Sequence, residues 1–171
     1  MIKLIKKLCV ISFVTLFASA TLAQSSDISK EEIMAIKFEI IDLVHAYALY
    51  RDNNNAVGYA SVFAEDGKLI VRGNAVEGRK AIQARLENAT TKSIGMHMMG
   101  TSHIEIVDAD NATGVHYAEV YSYTPKEDEE PGVYLVDGPR FFGKYIDVYA
   151  RTDEGWKITE RKFTPVFTTT Q

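Results

Sequence analysis

The chain has 171 residues, a formal net charge of −4, one cysteine and 46% hydrophobic residues. That length supports one domain with a real core. The acidic balance argues against nucleic-acid binding, which needs clustered Lys and Arg against phosphates, and a lone cysteine excludes a disulfide framework.

Residues 1–23 read as an export signal. Lys3, Lys6 and Lys7 form a positive start, Leu8 to Phe17 is apolar apart from Cys9, Ser12 and Thr15, and small residues follow to Ala23. The apolar run is too short for a bilayer of roughly 30 Å, which needs about 20 apolar residues. Cleavage after Ala23, or earlier at Ala18-Ser19-Ala20, is expected. Cleavage after Ala23 leaves a single domain of 148 residues over 24–171, periplasmic or secreted, with no membrane attachment. It also removes three lysines and Cys9, taking the formal charge to −7.

Ser29 before Lys30-Glu31-Glu32 is a helix start, with acids near the positive helix end. Ile33, Ile36, Ile40, Val44 and Tyr47 continue at helical spacing to about Asp52, where Asn53-Asn54-Asn55 breaks the pattern. A second short helix is predicted over 56–63, a turn at Glu65-Asp66-Gly67, a strand over 68–72 and a third helix over 78–87. Long strands follow over 96–107 and 114–124. Residues 125–139 read as an acidic loop, solvated or lying over a pocket. A hairpin closes the chain over 142–152 and 156–167, turning at Asp153-Glu154-Gly155. Helices first and antiparallel strands last predict an α+β domain with helices on one face of a curved sheet. No Gly-rich phosphate loop joins a strand to a helix, which argues against a nucleotide-binding fold.

Three stretches carry a resemblance: "YALYRDNNNAVGYASVFAEDG", "GMHMMGTSHIEI" and "GKYIDVYARTDEGWKITERKF". In this order they resemble the SnoaL-like branch of the nuclear transport factor 2-like superfamily, over about residues 30–167. The resemblance implies a cone-shaped sheet with about three helices on one face, an outer sheet face that forms homodimers, and a pocket in the cone's open end. Two enzyme types of that family, scytalone dehydratase and the bile-acid 7α-dehydratase type, work by acid–base chemistry without a cofactor. Their pattern places a helix Tyr at Tyr47, a helix Asp at Asp52, a central-strand His at His97 and a last-strand Arg at Arg161. It departs at the next strand, where Val120 and Ser122 stand in place of a further His or Asp. Val71 stands where the superfamily's steroid isomerases carry their base Asp.

Physical chemistry gives each of these residues a role. Asp52 can fix the imidazole tautomer of His97, or it can terminate its helix by bonding turn amides. His97 can pass a proton, or it can be a satisfied core histidine. Tyr47 can donate to an oxygen that gains charge. Arg161 can hold a carboxylate or enolate oxygen, or it can be an ion-paired strand residue. Tyr50, Phe63, Met98 and Met99 suit either a core or an apolar pocket, with Val120 and Ser122 on its strand wall. His97, His103 and His116 align as a three-histidine set only if no bulge interrupts the strand, and no close metal-ligand pair such as HxH is present, so no metal is expected. These readings predict an exported lyase or isomerase for a small hydrophobic hydroxylated or carbonyl compound, or a binding module with the same pocket, or a dimeric interaction subunit.

Overall fold

The computed structural model describes residues 28–89 and 93–169, and the export signal expected over 1–23 lies outside them. The elements in order are α1 (Lys30–Asp52), α2 (Ala56–Ser61), β1 (Phe63–Val71), β2 (Asn74–Glu77), α3 (Arg79–Glu87), β3 (Ile94–Ile106), β4 (Asn111–Tyr123), β5 (Phe141–Thr152) and β6 (Gly155–Thr168). Six strands form one open mixed sheet in the order β2-β1-β6-β5-β4-β3. The β1–β6 pair is parallel and every other neighbour is antiparallel. The three helices pack against this unclosed sheet, which gives the expected α+β cone.

The start of α1 forms as its sequence dictates. Ser29 is extended and its hydroxyl accepts from the Glu32 amide at 3.1 Å, with Glu31 and Glu32 in the first turn. Ile36, Ile40, Val44 and Tyr47 then share one buried face. That face meets Phe63, Tyr145, Tyr149 and Ile158 in the main core. The sharp end of α1 comes from Asn53, whose side-chain amide donates to the Leu49 carbonyl at 2.8 Å.

Two bulges decide which side chains face the helices. A strand alternates faces with period two, so one extra residue exchanges them. In β3 the pairing shifts between Met99 and Ser102. His97 faces inward before the shift, and Ser102 and Ile104 after it. His103 is thereby turned to the exposed face, and the three-histidine alignment does not form. In β6 Thr159 is the extra residue, since Tyr149 pairs with Ile158 and Val148 with Glu160. Trp156 and Ile158 are buried on one side of it, Arg161 and Phe163 on the other.

The structure departs from the sequence reading most clearly at three places. The second helix ends at Ser61, and Phe63 already belongs to β1. The expected turn at 65–67 is an irregularity inside β1, between Phe63 and Lys68. The edge strand β2 has one half-buried residue among four, so it carries no apolar alternation to read.

The 125–139 segment has no helix or strand. It is held by Glu129, which accepts from the Tyr123 hydroxyl at 2.9 Å and the Lys126 amide at 3.0 Å, while Tyr134 stacks on Tyr123. The outer sheet face is apolar and open: Met96 is 58%, Met98 52%, Tyr117 59% and Phe167 68% exposed.

Candidate active site

Between the helices and the inner sheet face lies a cavity of about 650 Å³. Tyr47 from α1, Tyr59 from α2, His97 from β3, Val120 and Ser122 from β4, and Phe141 and Tyr145 from β5 all line it. No residue of the 125–139 segment does.

Asp52 is the last residue of α1, where a carboxylate meets the negative end of the helix dipole and is disfavoured. It does not bond the turn amides. Its Oδ2 accepts the His97 backbone N–H at 2.7 Å and its Oδ1 lies 2.5 Å from His97 Nδ1. A local cost of this kind, offset by contacts to another element, is the pattern of a functional position. Gly95 makes the approach possible: a Cβ there would stand 3.2 Å from Asp52 Oδ1. The carboxylate holds the ring with its proton on Nδ1, which leaves the Nε2 lone pair for chemistry. Val120 pairs with His97 across the ladder.

Three phenols meet beside the imidazole. Tyr47 lies 4.9 Å from Tyr59 and 5.5 Å from Tyr145 between ring centroids, and 6.4 Å edge-on from His97. The Tyr59 hydroxyl donates to the Tyr47 hydroxyl at 3.2 Å, so Tyr47 keeps its own proton for a partner in the cavity. Burial first, and the neighbouring Tyr47 second, push the Tyr59 and Tyr145 phenols well above the ordinary tyrosine range. Both remain protonated donors.

Of the two roles open to Arg161 in the sequence, the structure shows the ion-paired strand residue and not a group facing the cavity. It is fully buried under the cavity floor and does not line the cavity. Its Nε and Nη2 donate to Asp147 at 3.0 and 2.6 Å, and its guanidinium stacks 4.1 Å from the Tyr47 ring and 4.7 Å from Tyr145. Burial alone would lower its proton affinity. Asp147 outweighs that and keeps it charged. Its role here is to support the phenols from below. The same carboxylate accepts from Tyr149 at 2.6 Å, and Tyr149 lies 2.8 Å from His116 Nε2, whose Nδ1 lies 2.8 Å from Ser102 Oγ. Since Tyr149 spends its proton on Asp147, its oxygen accepts from Nε2–H, and Nδ1 accepts from Ser102. His116 is neutral in this chain; burial pushes its pKa down to about 4, Arg161 and His45 add to the fall, and Asp147 opposes it.

Of the expected apolar contacts, Val120 and Ser122 line the cavity. Three do not. Tyr50 packs its ring against Gly58, where a Cβ would come within 2.6 Å. Phe63 is buried behind Tyr47 and Tyr59, 6.1 Å from each. Met99 is half-buried against the main core away from the cavity, and also borders the outer-face groove. The sequence reading missed Tyr59 and Tyr145 as cavity residues, because their spacing signals packing alone. It also missed Arg51, Arg72, Arg85 and Arg140, which come to the cavity from four separate places in the chain. Among the described residues, no three His, Cys, Asp or Glu side chains gather in a way that would hold a metal ion.

No curated protein matches the chain. Among solved structures, it is similar to a putative scytalone dehydratase from Novosphingobium aromaticivorans at 22% identity and a TM-score of 0.70, over 82% of this chain and 91% of that one. It is similar to the hexachlorocyclohexane dehydrochlorinase LinA-type3 of Novosphingobium barchaimii at 20% identity and 0.67, over 82% and 93%. A third likeness is to ActVI-ORFA from Streptomyces coelicolor at 21% and 0.61, over 77% and 98%. At these identities the likeness establishes the fold, as the strand order and the cavity between helices and sheet already suggest. The family model for a SnoaL-like domain matches residues 34–162, and the chain belongs to that family.

Proposed function

We propose that the chain is an exported, cofactor-independent lyase or isomerase for a small, largely hydrophobic hydroxylated or carbonyl compound. The observation that carries this reading is the 2.5 Å contact of Asp52 with His97 in the wall of a cavity lined by phenols. His97 Nε2 takes a proton from a carbon beside a carbonyl, and Tyr47 donates to the oxygen that gains charge. In a dehydration, the electron pair of the broken C–H bond forms the double bond. The hydroxyl on the next carbon departs with the proton from His97 as water. In an isomerisation the proton returns at another carbon. With Val120 opposite, His97 serves as both base and acid. Two of the three similar structures, a putative scytalone dehydratase and a dehydrochlorinase, support elimination as the reaction type.

The test is a screen of such compounds in D2O, followed by NMR, for wild type, His97→Ala and Asp52→Asn. His97→Ala is expected to lose about 10²–10⁴-fold in rate. Full activity in that variant would sink the assignment. A second reading, a binding module without chemistry, is favoured by Val120 standing where another acid–base group would sit. It gains if compounds bind the wild type and neither turn over nor exchange deuterium. We also infer that a second copy of the chain covers the apolar outer face.

A further inference from the structure

We propose that the ligand of this cavity is an organic anion, an apolar body carrying a carboxylate or a similar oxyanion that the cavity's arginines hold. This deepens the acid–base reading and rests on it for what happens after capture.

The chain has seven arginines, at 51, 72, 79, 85, 140, 151 and 161. Three of them are spent on carboxylates: Arg79 on Glu154 and Glu65, Arg151 on Asp110, and Arg161 on Asp147. Among the described residues, the other four form no ion pair, and all four line the cavity. They arrive from the last turn of α1 (Arg51), the β1–β2 turn (Arg72), α3 (Arg85) and the residue before β5 (Arg140). Among the described residues, the lining contains no Asp or Glu. Asp52, one residue from Arg51, is engaged with His97. A chain of net charge −4 thus collects four uncompensated positive charges around one opening. Like charges repel, and an anion between them relieves the cost.

The backbone adds a second observation. Arg72 has φ 54° and Gly73 φ 78° in a two-residue hairpin turn between Val71 and Asn74. With both central φ positive, Asn, Asp or Gly is the favoured first residue, and an arginine there sits in a conformation that costs stability. A strained position that keeps a long cationic side chain is one held for what the side chain reaches. Arg72 reaches Phe141, 5.0 Å from its ring centroid, and Arg140 stands 5.5 Å from the same ring. Phe141, Tyr145, Phe163, Leu86 and Val71 supply the apolar surface beside these guanidinium groups. The planar guanidinium fork suits carboxylate, sulfonate or phosphate oxygens.

The experiment is calorimetric titration of wild type with 2-naphthoate, 2-naphthalenesulfonate, 2-naphthyl phosphate and the neutral methyl 2-naphthoate. At low salt one of the anions is expected to bind about tenfold or more tightly than the ester, with the preference falling as salt is added. Which anion leads identifies the headgroup. Arg72→Asn replaces a strained residue by one the turn prefers, so the variant is expected to fold at least as well. It should lose about tenfold in affinity for the anion and leave the ester unchanged. Equal affinity for acid and ester, no anion binding at millimolar concentration, or an equal loss for both ligands in Arg72→Asn would each overturn the proposal. Preference for the acid together with no turnover of any compound leaves this inference standing and removes the acid–base reading. Equal affinity for acid and ester, with turnover abolished in His97→Ala, does the reverse.

Discussion

His116 shows how a single residue can tie this fold to pH. It is fully buried, its Nε2 hydrogen goes to Tyr149 and its Nδ1 accepts from Ser102. Both ring nitrogens are thus used in the neutral form, and a second proton would displace Ser102 as donor. With its pKa at about 4 instead of 6.5, the folded chain declines a proton that the unfolded chain accepts. The unfolded state therefore binds more protons between those values, and stability falls on acidification through that window, by up to about 3 kcal/mol. Above 6.5 this contribution is fully present. Thermal melts of wild type and His116→Gln between pH 7 and 4.5 check it, the variant losing less on acidification. Parallel curves for the two proteins would remove His116 as the cause. Nearby, truncating Asp147 would strand the Arg161 charge in the core, a change of the kind that costs about 3–5 kcal/mol.

At the scale of elements, the site is a junction between the end of α1 and the start of β3. The Asp52 carboxylate lies over Gly95, and a methyl group added there would stand 3.2 Å from it. That distance requires the carboxylate to move by a few tenths of an ångström. Gly95→Ala is expected to keep the fold and to lower turnover at least tenfold, because a small misplacement of an acid–base pair is costly. A crystal structure or backbone NMR shifts of the variant would confirm the intact sheet. Unchanged turnover would show that the Asp52–His97 geometry does not control the reaction. The elements themselves were legible: α1 carries a cap, a buried stripe and a breaker in order, and the closing hairpin carries its turn. The bulges at Met99–Ser102 and at Thr159 were not. Gly100 inside the first is the one local signal a bulge could have, while Thr159 has no glycine or proline beside it; each exchanges the faces of the residues that follow it up to the next shift.

The whole molecule leaves its outer sheet face open, with Met96, Met98, Tyr117, Phe142, Val166 and Phe167 around one apolar groove. A contiguous surface of this kind is uncommon on a monomer. If a second copy covers it, protein recovered from the extracytoplasmic fraction should start at Gln24 and run on light scattering at twice the mass of the 148-residue chain. Phe167→Asp, with Phe167 68% exposed, should halve that mass and leave the fold intact. A wild type of single-chain mass at every concentration would refute the self-association.

The sequence by itself determined the α+β order, the length of α1 and the closing hairpin, because these rest on local periodicity and caps, and it offered the pairing of Asp52 with His97 as one of two readings through a recognisable family pattern. Tertiary structure decided the rest. It withdrew Arg161 beneath the floor, moved Tyr50, Phe63 and Met99 off the cavity wall, and gathered Arg51, Arg72, Arg85 and Arg140 around it. The physical reason is the same in each case. Spacing along a chain tells which face of its own element a residue occupies, while charge compensation and cavity lining depend on which elements the sheet register brings together.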